Sequence, residues 1–373
     1  HLVFHPSLQC IITCVALPGS LSQAEGDYYQ LLARYNEAEQ EYRESITAYQ
    51  QFLQAEVNED YLVNAFNNLG NSLLKLGNLQ QTLGENSDSL NSYQQAISSY
   101  DHALSHNPSY LYALNGKGLA VQNKGKLQAN MSQDKDALNS YEQALEILKE
   151  TLSHDPGYLY ALNNKAEVHQ YQGKLQANLG QHENALNSYK KATVLYDEAL
   201  SRAIDDMASC GALLENKGSV LQSQGALQYC LSRDADALTS YRQALTAYEE
   251  ALTYAPHSIN ALNNKGNALQ SLGELQVRLS YNTDALNSYQ KAISAYDEAL
   301  DHAPNNIYAL NNKGLLYIKR YQLQVDLKLE IKARQSLQTA LQCFSHSLEM
   351  APNDAFICGQ RDQVQAQLNG EGN

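Results

Sequence analysis

Histidine is the residue type in this chain best suited to act as a general base or a metal ligand. His106, His154 and His302 recur at matching places, each two residues before a proline, in the segments HNP, HDP and HAP. This regular place before a turn favours a structural role. The sequence also contains no GxSxG, HExxH, GxxxxGK[ST] or GxGxxG motif, the patterns that position a nucleophile, a metal or a phosphate. We therefore predict that the chain is not an enzyme.

Cysteine is the other candidate for metal or redox chemistry. Cys10 and Cys14 could share one helix face, but nothing nearby supplies two further ligands. No pair has the CxxC spacing of a zinc ribbon or a redox site. The pattern predicts scattered thiols, no metal site and no cofactor. The six cysteines are Cys10, Cys14, Cys210, Cys230, Cys343 and Cys358.

The composition indicates a folded, acidic chain. Of 373 residues, 43% are hydrophobic and 18% charged, and the net charge is −14, which argues against disorder. An acidic chain without a basic stripe is not expected to bind nucleic acid. No run of 18 apolar residues predicts a membrane span. The 26 tyrosines, against 5 phenylalanines and no tryptophan, indicate that one motif is copied.

An internal repeat of 48 residues organises the sequence. The strings ALNGKG, ALNNKA and ALNNKG place a lysine at Lys117, Lys165, Lys265 and Lys313, and ALLENKG adds Lys217. The interval from Lys165 to Lys217 is four residues longer than the others. These lysines are expected to extend along the seam between helices, with their stems buried, rather than to bind phosphate.

The second half of each repeat has the pattern of an amphipathic helix that ends at a proline. In one repeat, Tyr289, Ala292, Tyr296 and Ala299 alternate large and small residues at steps of three and four, and Pro304 follows. Such steps place the four side chains on one helix face. Proline then stops the helix because it lacks the N–H that the next turn needs.

These residues resemble the tetratricopeptide repeat, a pair of antiparallel helices of about 34 residues. The resemblance implies an all-α, right-handed α-solenoid, or superhelix, of antiparallel helical pairs. Fourteen extra residues precede Ser288, and seven added to each helix would keep its buried face nearly unrotated. We expect helices of about 20 residues, joined near residues 280–284 with Asp284 as the cap. The matching first-helix residues are Leu262, Gly266, Leu269 and Gly273.

The repeat pattern divides the chain into four parts. Residues 1–24 form an apolar N-terminal segment, and residues 25–58 form a degenerate helical pair. Residues 59–354 hold six repeats of about 48 residues. Residues 355–373 form a capping helix and a polar tail, because the end of a repeat array needs a cap.

The N-terminal segment leaves the location of the protein open. The apolar run from Leu8 to Leu17 is followed by Pro18-Gly19 and small residues, which resembles a secretory signal. No lysine or arginine precedes the run, and the chain does not start with methionine. The protein is exported, to a periplasmic or extracellular location, if this segment is a signal remnant. It is cytoplasmic if the segment is instead a docking or capping element.

Asparagines on the first helices are the candidate binding residues. The resemblance implies that first helices line a concave groove, where asparagine amides can donate to and accept from a peptide backbone. The alternative is that stacked asparagines bond neighbouring helices without any ligand. Gly116 interrupts the row. The candidate groove residues are Asn67, Asn68, Asn163, Asn164, Asn216, Asn263, Asn264, Asn311 and Asn312.

The sequence therefore predicts a non-catalytic scaffold or adaptor that binds a segment of a partner protein or peptide in the groove. Tyr171 and Leu119 would add apolar contacts there. One alternative is a structural protein whose copies stack end to end into filaments. Another is a regulatory domain of a larger signalling protein.

Overall fold

The computed structural model describes residues 19–55, 59–203 and 206–370. Within these ranges the chain is all-α, with fifteen helices and no strand. It divides into two compact units, residues 1–181 and 182–373. Each unit is a stack of antiparallel helical pairs, described separately below.

The described part of the first unit contains seven helices, which begin before the expected domain boundary at residue 25. Residues 1–18, with most of the apolar N-terminal segment, Cys10 and Cys14, lie outside the described ranges. The helices are α1 (Ser20–Leu31), α2 (Tyr35–Gln54), α3 (Glu59–Thr82), α4 (Asn86–His106), α5 (Leu111–Asn130), α6 (Asp134–His154) and α7 (Leu159–Asn178).

The described part of the second unit contains eight helices, and the last of them is a first helix with no second helix after it among the described residues. Its bounds are α8 (His182–Arg202), α9 (Met207–Cys230), α10 (Asp234–Tyr254), α11 (Ile259–Arg278), α12 (Asn282–His302), α13 (Ile307–Asp326), α14 (Glu330–Met350) and α15 (Ala355–Gly370). From α3 to α14 the helices are 20 to 24 residues long, which confirms the predicted length.

Each complete pair is held together where rings of the second helix cover glycines of the first. Tyr296 lies over Gly266, and Tyr289 lies over Gly273. Both rings are almost completely buried. We call each such contact a glycine–aromatic layer. Further layers join Gly70 to Tyr100, Gly77 to Tyr93, Gly125 to Tyr141, Gly218 to Tyr248, Gly225 to Tyr241 and Gly314 to Phe344.

The two layers of a pair are seven residues apart on both helices. Gly266 and Gly273 have this spacing, and so do Tyr289 and Tyr296. Seven residues span nearly two full turns, so the second layer lies on almost the same face as the first. Alanines of the second helix follow the same step and are fully buried at Ala285, Ala292 and Ala299. The lengthening that the sequence predicted is therefore a seven-residue step on each helix.

The last pair exchanges the partners of one layer. Tyr321 stands where the preceding pair has Gly273, and Leu337 stands where it has Tyr289. Leu337 is completely buried, and Tyr321 packs against the cluster that contains it. The ring has moved from the second helix to the first, so this layer is filled from the opposite side.

The turn between the two helices of a pair uses a left-handed residue. Ser280 has φ 63°, and the amide of Tyr281 donates to the carbonyl of Gln276 at 2.8 Å, which closes the first helix. This confirms the predicted turn position. The predicted cap at Asp284 is wrong. The left-handed residue starts α12 at Asn282, so Asp284 lies within its first turn, and Tyr281 occupies the cap position without a side-chain bond.

Replacing the serines of these turns with glycine is expected to stabilise the protein by about 0.5–1 kcal/mol each. A left-handed conformation strains any residue that carries a β-carbon, and glycine has a smaller opposing entropy cost. Ser132, Ser232 and Ser280 have φ values of 57–63°. The measurement is urea unfolding followed by circular dichroism at 222 nm.

The matched control is the reverse change, Gly84→Ser, in the same turn of another pair. Gly84 has φ 80°, and no atom lies within 4 Å of the position its β-carbon would take. The substitution therefore changes backbone strain alone and should destabilise by a similar amount. Equal stability of Gly84→Ser and the parent protein would contradict the argument.

Candidate functional site

The first helices line the inner side of each unit. In unit 1, α3 and α5 approach each other, as do α5 and α7, with Cα atoms within 8 Å. In unit 2 the same holds for α9 with α11 and for α11 with α13. Among the described residues of either unit, successive second helices make no approach of similar extent. Helices that lie closer together occupy the inside of the curve, so the first helices form the inner surface.

A connected set of amides crosses from α5 to α7 in unit 1. Asn164 donates to Asn115 Oδ1 at 2.9 Å. Asn163 donates to Glu167 at 3.1 Å, and Gln122 donates to the other oxygen of the same carboxylate at 3.0 Å. We call these residues the unit 1 amide network. They hold the side chains of two successive first helices in a fixed arrangement.

Unit 2 has a comparable arrangement with different members. Asn267 Oδ1 accepts from the Tyr296 hydroxyl at 2.7 Å and from Asn312 Nδ2 at 3.1 Å. Glu215 stands where other repeats have asparagine, and it accepts from Asn264 at 3.4 Å and from Ser258 at 3.3 Å. Burial raises the pKa of the Glu215 carboxyl, opposed by the bond from Ser258.

The nine predicted groove asparagines are divided between the two units. Four lie on α3 and α7 of unit 1, and five lie on α9, α11 and α13 of unit 2. Asn67, Asn164 and Asn263 are buried, and the other six are half-buried. Several of them bond to neighbouring first helices, as the ligand-free alternative requires. The half-buried members keep part of their amide surface on the inner side.

The predicted apolar contacts are also on the inner helices of unit 1. Tyr171 is half-buried, and Lys126 Nζ lies 4.4 Å from the centre of its ring. Leu119 is half-buried and packs against the core of the first pairs. Each is therefore only partly available to a partner.

Four of the repeated lysines lie along the seam between helices, as the sequence predicted. Lys117, Lys217 and Lys313 lie 2.5–2.6 Å from an aspartate on the preceding second helix. Lys265 lies 3.4 Å from Glu249 in the same way. The exception is Lys165, because its corresponding acidic position holds a lysine. Those four lysine side chains are 18–27% exposed.

Lys149 is the lysine that stands at the acidic position corresponding to Lys165. Replacing Lys149 with aspartate is expected to stabilise unit 1 by roughly 0.5 kcal/mol. The new carboxylate would stand 16 residues before Lys165, the spacing of the pair formed by Asp101 and Lys117. Ion pairs with this much exposure contribute about 0.2–1 kcal/mol. Lys149→Ala, which removes the repulsion together with the exposed contact between Lys149 and Glu146 at 3.4 Å, should give a smaller gain. The difference between the two variants in urea unfolding should vanish in 1 M salt, and a difference that persists would contradict an ion pair.

Sequence reasoning missed a buried bond that recurs in the five pairs α3–α4, α5–α6, α9–α10, α11–α12 and α13–α14. A serine of the second helix donates to a glutamine that lies 12 residues earlier on the first helix, at 2.7–2.8 Å. The signal was present, because Gln and Ser repeat in register with the glycines. The pairs are Ser92 with Gln80, Ser140 with Gln128, Ser240 with Gln228, Ser288 with Gln276, and Ser336 with Gln324.

The residues considered for chemistry are dispersed. His106 stacks on Phe66 with ring centres 6.0 Å apart, and His302 lies 3.0 Å from His257. Cys210, Cys230, Cys343 and Cys358 are free thiols. In the described ranges, no group of three or more His, Cys, Asp or Glu residues is arranged to hold a metal ion. No helix in the same ranges is both long and apolar enough to span a membrane.

Comparisons with known proteins find similarity in structure but not in sequence. No protein-family model matches the chain, and no curated protein matches it. BtubC from P. vanneervenii has a TM-score of 0.51 and 14% identity, over 69% of this chain and 89% of that one. The nuclear import adaptor Nro1 from S. pombe has a TM-score of 0.49 and 13% identity, over 82% and 99%.

A tetratricopeptide repeat-containing protein from Cytophaga hutchinsonii has a TM-score of 0.42 and 14% identity, over 90% of this chain and 98% of that one. At these identities the likeness is one of fold. It agrees with the helical pairs described above and says nothing of a shared ligand.

Proposed function

We propose that this chain, whose fold is a tetratricopeptide-like repeat array, is a non-catalytic interaction scaffold that binds an extended segment of a partner protein. The inner faces of the first helices would bind the segment within each unit. Their amides would donate to and accept from its backbone.

The observation that carries the proposal is the amide network of unit 1. Glu167 holds Asn163 and Gln122 in place, and Asn115 holds Asn164. An amide whose rotamer is already fixed loses little side-chain entropy when a ligand binds. Each asparagine amide offers two donors and two acceptor sites, so a bond to a neighbouring helix leaves further capacity for a peptide.

The charge pattern of the inner faces favours a partner segment of low charge. The repeated lysines are turned to the seam, where carboxylates of the second helices balance them. The rows that face inward carry mainly Asn, Gln and Ser. A strongly charged segment would lose hydration on such a surface, and the inner carboxylates Glu167 and Glu215 already accept hydrogen bonds from amides.

The C-terminal end of unit 2 disfavours the alternative of end-to-end filaments. α15 is a first helix, and Asp362 stands where α13 has Gly314. The Asp362 side chain is 67% exposed and pairs with Arg361 at 2.7 Å. A further second helix would have to place an aromatic ring on this carboxylate, so continuation of the stack would bury a charge.

The proposal is tested by selecting peptides from a random display library on the purified chain and measuring their affinity for variants. We expect the selected peptides to be poor in charged residues and to lose about tenfold or more in affinity on Asn163→Ala or Asn68→Ala, because both asparagines are half-buried. Asn91→Ala is the matched control, because Asn91 is exposed on the second helix α4, and its removal should leave the affinity unchanged.

Two results would overturn the proposal. Selected peptides that bind Asn163→Ala and Asn68→Ala as tightly as the parent protein would place recognition elsewhere. A library that yields no binder, together with a mass that grows with concentration in light scattering, would favour self-assembly. Circular dichroism of each variant should show unchanged helix content, so that a loss of binding is not a loss of folding.

A further inference from the structure

Four tyrosines form a continuous aromatic row at one edge of unit 1. The ring centres of Tyr110 and Tyr112 are 5.5 Å apart, those of Tyr112 and Tyr158 are 6.5 Å apart, and those of Tyr158 and Tyr160 are 5.7 Å apart. We call this row the tyrosine ladder. It lies at the N-terminal ends of α5 and α7, and it comes from the sequence YLYALN, which occurs at residues 110–115 and 158–163.

The ladder is exposed although its rings are large. Tyr112 is 63% exposed and Tyr160 is 66% exposed. Tyr110 and Tyr158 are held more firmly. Both rings are half-buried, and the Tyr110 hydroxyl donates to Asn64 Oδ1 at 2.7 Å. The core of unit 1 does not need large exposed rings at this edge. The row of rings is therefore a candidate binding surface.

The electrostatic character of the ladder limits the ligands that suit it. Burial, followed by the neighbouring phenols and Asp155, raises the pKa of Tyr158 to about 12, so that ring is neutral at physiological pH. Asp155 adds negative charge beside it. An acidic ligand is therefore disfavoured, and an uncharged one is accommodated.

We propose that the tyrosine ladder binds a proline-rich segment in the polyproline II conformation. This conformation has three residues per turn and rises about 3.1 Å per residue, so the side chains on one of its faces recur about every 9.3 Å. Two successive steps of the ladder, with 5.5–6.5 Å between ring centres, span at most about 12 Å, which leaves room for one such turn on each repeat. Its carbonyls have no internal partners and can accept from tyrosine hydroxyls, while the prolines pack on the ring faces. Aromatic-lined surfaces recognise such segments because these are already ordered before binding.

The same register in unit 2 provides a natural comparison. Tyr308 corresponds to Tyr112 and Tyr160, and it is 78% exposed. The preceding repeat has Ser258 and Asn260 at the two ladder positions, and Asn306 replaces the inner tyrosine. Tyr308 is thus an exposed tyrosine at the equivalent helix end without a ladder.

The experiment is a fluorescence anisotropy titration of a fluorescein-labelled oligoproline with the full chain. A Gly/Ser peptide of equal length and an arginine-rich peptide are titrated in parallel. We expect the oligoproline to bind and the Tyr112→Ala/Tyr160→Ala variant to lose about tenfold or more in affinity. Tyr308→Ala should bind as the parent protein does, because it removes a tyrosine of equal exposure outside the ladder.

Four outcomes would overturn the inference. They are no oligoproline binding at millimolar peptide, equal binding of the Gly/Ser peptide, binding of the arginine-rich peptide alone, and unchanged affinity of the double variant. The ladder does not depend on the amide network, so Asn163→Ala should leave oligoproline binding intact. Failure of the ladder and failure of the proposed groove are therefore separate results.

Discussion

Alanine at Gly266 is expected to destabilise unit 2 by about 2 kcal/mol. A β-carbon there would lie 2.4 Å from Cε1 and 2.7 Å from Cζ of Tyr296. The ring cannot withdraw easily, because it is completely buried and its hydroxyl donates to Asn267 at 2.7 Å. Overpacking of this kind costs about 1–3 kcal/mol, which exceeds the helix propensity that alanine gains over glycine. The measurement is urea unfolding at constant temperature.

Gly359→Ala is the matched control for this prediction. Gly359 lies inside α15 of the same unit, and no atom lies within 4 Å of the position of its β-carbon. Alanine there should stabilise by up to about 1 kcal/mol, the propensity difference alone. The two substitutions should therefore have opposite signs. Stabilisation by both would show that the ring does not need the glycine.

Raising the pH above 10 is expected to unfold both units over a narrow range. Burial raises the pKa of the layer tyrosine Tyr93 to about 12, and it raises the pKa of the other layer tyrosines as well. In the unfolded chain these groups ionise near pH 10. Their contribution to stability is complete below pH 10 and is lost as the pH rises towards 12. Each buried tyrosine steepens the loss by about 1.4 kcal/mol per pH unit.

Circular dichroism at 222 nm and tyrosinate absorbance at 295 nm, recorded from pH 8 to 12, test this expectation. Loss of helix should coincide with a cooperative rise in tyrosinate. Tyr241→Phe and Tyr289→Phe should shift the midpoint upward, because each removes one group that must ionise. Phe344 takes the place of Tyr296 in the last pair and lies over Gly314, so a glycine–aromatic layer of this fold accepts phenylalanine. A midpoint unaffected by both substitutions would contradict the account.

The fold was predictable because its determinants repeat in sequence. Gly266, Tyr296 and Pro304 recur at fixed spacing, and the spacing alone gives helix length, buried face and turn position. The cap at Asp284 was mispredicted because the left-handed Ser280 starts the helix early. A serine does not reveal a left-handed conformation by itself, and the signal lay in another repeat, where Gly84 occupies the same turn position.

The candidate site was less predictable, since its geometry joins residues of different pairs. Asn164 could be assigned to the inner face, but its bond to Asn115 depends on how closely α5 and α7 approach. The tyrosine ladder was overlooked for a related reason. Tyr112 and Tyr158 contact each other across two repeats, but they are not equivalent positions of the repeat. A comparison of repeats aligns equivalent positions only, so it does not reveal this contact.

The seven-residue step within each pair has a consequence for how such arrays change. Inserting one step in both helices adds about 10.5 Å to the width of the surface and one further ring on a glycine. Duplicating a whole pair adds length instead. The width and the length of the array can therefore be varied independently. A chain of 62-residue repeats, with three glycine–aromatic layers per pair, is expected to form the same kind of array.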